Sequence, residues 1–99
     1  MAKILFERSG GFLEPPIEFT LDLDTVSSHA AQRMLYLIED ADFFNLPENP
    51  DATPVVDEYF FIVTVEAGAT RHSVCVAEAE MPEVLRPLIN ELSTVAVFG

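Results

Sequence analysis

The chain has 99 residues, of which 17 are acidic and 5 are basic, giving a formal net charge of −12. This length predicts one domain over residues 1–99, and a hydrophobic content of 49% is enough to build its core. The negative charge repels phosphate, which argues against nucleic acids and anionic membrane surfaces as partners. Because no secretory signal or membrane-spanning run is visible, we expect a cytoplasmic protein.

Alternating apolar residues predict two strands at the start of the chain. The first strand contains Ile4 and Phe6, and the second covers residues 17–24. Between them, Ser9, Gly10 and Gly11 predict a turn, since glycine reaches positive φ without steric strain. We therefore expect a hairpin-like pair with an enlarged loop.

A helix is predicted next, with Thr25, Ser27 or Ser28 as its N-cap. After the helix, Phe43 and Phe44 are expected to fold back into the core. The predicted buried stripe has helical spacing: Ala31, Met34, Leu35, Ile38 and Ala41.

The second half of the chain repeats this order of elements. Residues 47–56 form the longest segment without predicted structure, and loops of this kind are often functional. Residues 59–66 and 70–77 are predicted to be antiparallel strands joined by a turn at residues 67–69.

The last predicted element is a helix that starts at Pro82, and Pro87 is expected to bend it. Its buried stripe is predicted at Leu85, Leu88, Ile89 and Leu92. The resulting order, β-β-α-β-β-α, predicts an α+β fold with a mainly antiparallel four-stranded sheet and two helices.

Candidate catalytic and metal-binding groups are few. Cys75, the one cysteine, excludes an intrachain disulfide and is interpreted as a small core residue beside Val74 and Val76. His29 and His72 have no second ligand at zinc-binding spacing, and the acidic clusters lack the calcium-loop pattern. We therefore expect no cofactor, no metal of its own and no catalytic residue, with His72 in a structural role.

Two loops are better candidates for function. Phe12 and Leu13 follow flexible glycines, so they either anchor a partner's pocket or fold back onto the sheet. Asp57 directly precedes the third predicted strand and is either a functional carboxylate or a strand-start residue.

Several motifs, spread over nearly the whole chain, resemble those of the emfourin family, small bacterial inhibitors of protealysin-like metalloproteases of the thermolysin type. The motifs that carry this resemblance are Glu7-Arg8-Ser9-Gly10-Gly11-Phe12, Ala41-Asp42-Phe43-Phe44-Asn45-Leu46-Pro47, Asp57 before Tyr59-Phe60-Phe61, Val65-Glu66-Ala67-Gly68 with His72-Ser73-Val74, and Leu85-Arg86-Pro87-Leu88.

The resemblance implies a non-enzymatic inhibitor that occludes the active site of a zinc metalloprotease. In the family, an aspartate takes the open position on the target's zinc while apolar residues of a neighbouring loop fill substrate pockets. By position, Asp57 is the candidate zinc ligand with Asp51 in reserve, and Phe12 and Leu13 are the pocket-filling residues. The implied protease-binding residues are Gly10, Gly11, Phe12, Leu13, Asp51 and Asp57.

Two other functions stay open at the level of sequence. One is an acidic interaction module that binds a protein without blocking an active site. The other is a small enzyme that uses His72 or a pair of carboxylates. A monomer is favoured, with the apolar residues 95–98 as the candidate contact if the chain dimerises.

Overall fold

The computed structural model describes residues 2–10, 15–49, 52–53 and 57–98, with side chains up to residue 95. Its elements, in chain order, are β1 (Ala2–Gly10), β2 (Ile17–Asp22), α1 (Ser28–Asp40), β3 (Tyr59–Ala67), β4 (Thr70–Ala77) and α2 (Arg86–Phe98). This order confirms the predicted α+β fold. Short 3-10 helices cover Phe43–Asn45, Glu78–Glu80 and Glu83–Leu85.

The four strands form one antiparallel sheet in the order β2-β1-β3-β4. β1 lies at the centre, and its Phe6 pairs with Phe19 of β2 on one side and with Val63 of β3 on the other. The predicted hairpin-like pair of β1 and β2 is therefore present. The strands β1 and β3 are far apart in sequence but pair with each other. Their pairing places the end of β1 beside the start of β3.

Both helices cover the same face of the sheet. This face carries Ile4 and Phe6 of β1, which are 0% and 1% exposed, together with every second residue of β3 and β4. The ring of Phe6 lies 5.6 Å from that of Phe19 and 6.1 Å from that of Phe61. Buried helical residues complete the core: Met34, Leu37, Ile38, Leu88, Ile89 and Leu92.

Three strand boundaries differ from prediction, and that of β3 differs only by Ala67, which still pairs with β1. β1 continues through Ser9 and Gly10, where a turn was expected, because both residues pair with β3. β2 ends at Asp22, two residues early, because the Asp22 carboxylate accepts a hydrogen bond from the Asp24 amide at 2.9 Å and turns the chain.

Helix α1 has Ser27 as its N-cap, since the Ser27 Oγ accepts a hydrogen bond from the Ala30 amide at 3.2 Å. The predicted buried stripe was wrong at Leu35, which is 46% exposed, while Leu37 is buried. The predicted burial of both phenylalanines is confirmed for Phe43 but not for Phe44, which is 39% exposed.

The predicted bend at Pro87 was wrong. Residues 83–85 form a separate 3-10 helix, so α2 begins at Arg86 and Pro87 lies in its first turn. Amides of the first turn have no partner within the helix, so proline is accommodated there without distortion. The four predicted buried positions of this region, Leu85 among them, are confirmed.

The two outer edges of the sheet differ. The edge of β4 is covered by Glu48, whose carbonyl oxygen accepts from the Cys75 amide and whose Oε2 accepts from the Ser73 amide, both at 2.9 Å. Within the described residues, no segment pairs with the outer edge of β2. Among these residues, only the β2 edge therefore keeps backbone groups that could pair with another strand.

Candidate functional site

Gly10 is the last residue of β1 and occupies a position that excludes a side chain. Its φ of +85° lies in the left-handed region. A Cβ at this position would collide with the carbonyl oxygen of Glu58 and lie 3.7 Å from the Phe60 nitrogen. Glycine is therefore required here both by the backbone conformation and by the close approach of the chain that leads into β3.

Asp57 lies in that neighbouring chain, two residues before β3 begins. Its φ of +70° is also left-handed, a conformation that aspartate tolerates better than most residues. The residue is exposed, and its carboxylate belongs to a turn rather than to the core. This arrangement presents an acid at the surface on a defined backbone.

The pairing of β1 with β3 brings these two segments together. Gly10 is opposite Tyr59 in the register, so β1 ends where the Asp57 segment enters β3. Of the six predicted site residues, Gly10 and Asp57 lie at one end of the sheet. The other four, Gly11, Phe12, Leu13 and Asp51, lie outside the described residues, so their positions stay a prediction.

Behind these segments lies a stacked pair that sequence reasoning did not single out. The guanidinium carbon of Arg8 is 4.6 Å from the centre of the Tyr59 ring, which is 6.2 Å from the ring of Phe61. Arg8 follows Ile4 and Phe6 in the alternation of β1, so its place on the helix side could have been found from parity. The stacking could not, because it depends on the register with β3.

The same end of the sheet is acidic. Ala77, the last residue of β4, pairs with Phe60, so the 3-10 helix Glu78–Glu80 begins beside the start of β3. Glu78 and Glu80 are exposed, as is Asp57. These carboxylates give the end of the sheet a negative potential that favours a basic partner surface.

His72 has a structural role, as expected from the sequence. Its Nε2 donates a hydrogen bond to the Leu46 carbonyl oxygen at 2.7 Å, and its ring contacts Phe43 edge-on at 5.5 Å between centroids. His72 pairs with Val65, six residues along β3 from Tyr59, which separates it from the Gly10 end by roughly 20 Å. It therefore lies far from the predicted site.

Cys75 is not a core residue, which corrects the interpretation from sequence. It is partly exposed on the sheet face opposite the helices, whereas Val74 and Val76 point into the core. Burial, followed by the negative charges of Glu48 and Glu7, raises the pKa of the Cys75 thiol. The thiol is therefore held in its neutral, unreactive form at neutral pH.

Neither a metal-binding cluster nor a membrane-spanning helix occurs among the described residues. Over the part of the chain that the structure describes, no three metal-ligating side chains of His, Cys, Asp or Glu come together. Within the same residues, no helix has the length and apolarity needed to cross a bilayer.

Comparison with known proteins points to one family. The family model described as Emfourin matches residues 6–93. The fold is similar to that of emfourin (M4in) from Serratia proteamaculans, an M4 family peptidase inhibitor, with 19% sequence identity and a TM-score of 0.50. The similarity covers 88% of this chain and 84% of that chain. No curated protein matches the sequence.

Proposed function

The chain belongs to the emfourin family, and from that membership we propose that it inhibits a thermolysin-type zinc metalloprotease by occluding the active site. The family is one of inhibitors, so the chain is not an enzyme. The emfourin of similar fold is described as an inhibitor of M4 family peptidases, which supports a protease as the partner.

One observation carries the proposal for how inhibition occurs. Gly10 and Asp57 lie at the same end of the sheet because β1 and β3 pair there. The two loops implied in binding therefore start from adjacent positions, which a joint insertion into one cleft requires. Gly11, Phe12 and Leu13 continue directly from Gly10, and we assign the two apolar residues to substrate pockets of the protease.

The proposed role of Asp57 follows from the chemistry of the target. A catalytic zinc keeps one coordination position open for water or substrate, and a carboxylate oxygen can take it at about 2.0–2.2 Å. Asp57 is the candidate because it is exposed and held on a defined turn, and Asp51 is the reserve. The metal belongs to the protease, and the inhibitor supplies a ligand that is not cleaved.

The test is inhibition of a purified thermolysin-like protease by the wild-type protein and by Asp57→Asn. Asparagine tolerates the left-handed conformation of residue 57, so this change removes the charge without straining the backbone. We expect the inhibition constant to rise about 100-fold, as for loss of a central binding residue.

Asp24→Asn is the matched control. Asp24 is an exposed aspartate that follows β2 at the opposite end of the sheet, where Asp22 pairs with Lys3. The control should inhibit like wild type. Equal inhibition by both variants would remove Asp57 from the mechanism and favour Asp51. Stable binding by the wild type without inhibition would instead favour an acidic interaction module.

A further inference from the structure

We propose that Arg8 is a positioning residue of the inhibitor, which fixes the Asp57 turn relative to Gly10 at the end of β1 through its stacking on Tyr59. This inference rests on the proposed function and adds a residue to it. Arg8 is not assigned a contact with the protease or with its zinc.

The first support is the place of Arg8 in the sheet. It lies on the helix-facing side of β1, in line with Ile4 and Phe6, at a position where the strand pattern favours an apolar residue. A half-buried guanidinium there gives up packing that a hydrophobic residue would supply. Departures of this kind from the local pattern occur typically at functional positions.

The second support is the geometry of the stack. Arg8 is directly opposite Phe61 in the register, so its 4.6 Å approach to the Tyr59 ring is a diagonal contact that reaches toward the end of the sheet. Tyr59 is the residue opposite Gly10 and is two residues from Asp57. One side chain of β1 therefore contacts β3 beside both Gly10 and Asp57.

The third support is electrostatic. Asp57 and the exposed carboxylates of Glu78 and Glu80 place like charges at this end of the sheet. Arg8 introduces a positive charge at the same end, fixed in place by an aromatic face. A fixed charge favours one arrangement of a loop that carries an acid, which lowers the entropy lost on binding.

The experiment measures inhibition and unfolding for Arg8→Met, Arg8→Lys and Tyr59→Phe. Methionine keeps an unbranched apolar stem and removes the charge, whereas the two conservative variants keep a cation above a ring. We expect Arg8→Met to raise the inhibition constant by roughly threefold to tenfold. The conservative variants should retain most of the inhibition, and all three should remain folded in urea titrations.

A double-variant comparison separates positioning from a general structural role. If Arg8 acts by positioning Asp57, Arg8→Met should have little further effect in the Asp57→Asn background, because no carboxylate remains to be positioned.

An unchanged inhibition constant for Arg8→Met would overturn the inference, as would the same fold-loss in both backgrounds. Failure of the wild type to inhibit would overturn the proposed function, and this inference with it. Inhibition by the wild type and its loss in Asp57→Asn alone would overturn only the role of Arg8.

Discussion

Residue 57 illustrates how a backbone conformation and a function can favour the same amino acid. The described residues with positive φ other than glycine are Asp42, Asn49 and Asp57, all of the two types that tolerate this region best. The left-handed backbone conformation alone therefore favours aspartate at position 57, whether or not the residue binds a protease. The carboxylate itself is what the proposed function adds, and asparagine separates the two requirements.

Gly10 allows a prediction about stability that does not depend on function. Replacing it with alanine should lower the free energy of unfolding by about 3 kcal/mol, because a strained φ and a collision with the Glu58 carbonyl oxygen act together. Urea denaturation measures this loss.

The matched control for that prediction is Gly68→Ala. Gly68 also has a positive φ, of +62°, but a Cβ there would meet nothing within 4 Å. Its loss should therefore be about 1 kcal/mol, from backbone strain alone. Equal losses for the two variants would show that the approach of Glu58 to Gly10 places no steric demand on the sheet.

Single residues also mark the limit of what the sequence could reveal about the site. The pattern identified Gly10 by its freedom of φ and Asp57 by its place directly before the third strand, and the family resemblance assigned both to binding. That they lie together follows from the β1–β3 pairing, which joins residues about fifty positions apart and leaves no local signal. The contact between Arg8 and Tyr59 was hidden for the same reason.

Among the elements, β4 was predicted with its observed bounds, but the cover on its edge was not. Residues 47–49 have no regular structure, yet Glu48 binds two amides of β4 with its carbonyl and carboxylate oxygens. The partners are separated by 25 residues in the Ser73 contact, so neither propensity nor periodicity could indicate them. These two hydrogen bonds satisfy amides on the β4 edge that a fifth strand would otherwise pair with.

This cover predicts a difference between two substitutions of Glu48. Alanine removes the acceptor of the Ser73 amide and should destabilise the protein by about 1 kcal/mol, a modest loss because water can replace a side chain that is 50% exposed. Glutamine keeps an oxygen acceptor and should retain most of that stability. Amide hydrogen exchange at Ser73 reports the effect directly and should accelerate in Glu48→Ala. Unchanged exchange would mean that the carboxylate does not hold the edge.

The helices show which features of an element a pattern predicts well. Helical spacing identified Met34 and Ile38 correctly as buried. It could not decide between Leu35 and Leu37, because these two residues lie on opposite flanks of the stripe that Met34 and Ile38 define. The choice depends on where α2 and the sheet lie. In the same way, Pro87 predicted a bend because the start of α2 was placed at Pro82, four residues before the observed Arg86.

At the scale of the whole molecule, the net charge of −12 bears on the rate of association rather than on the fold. The carboxylates beside the predicted site concentrate part of this charge where the partner would arrive. We therefore expect the association rate with the protease to fall about tenfold between roughly 0.05 M and 0.5 M salt. Stopped-flow inhibition kinetics measure this dependence.

The dissociation rate provides the internal control, since contacts already formed in a closed interface are screened much less than charges in open solvent. It should change little over the same range of salt. An association rate that is independent of salt would indicate that the negative surface has no part in the encounter.

The outer edge of β2, with which no described segment pairs, has a practical consequence for handling the protein. An edge strand can pair with a strand of another molecule, and β2 carries the exposed Glu18, whose charge opposes the approach of an identical strand. Replacing Glu18 with an uncharged residue would remove that repulsion while leaving the pairing groups in place. Variants intended for concentrated stocks should consequently keep the charge at position 18, since its loss would favour edge-to-edge stacking through this strand.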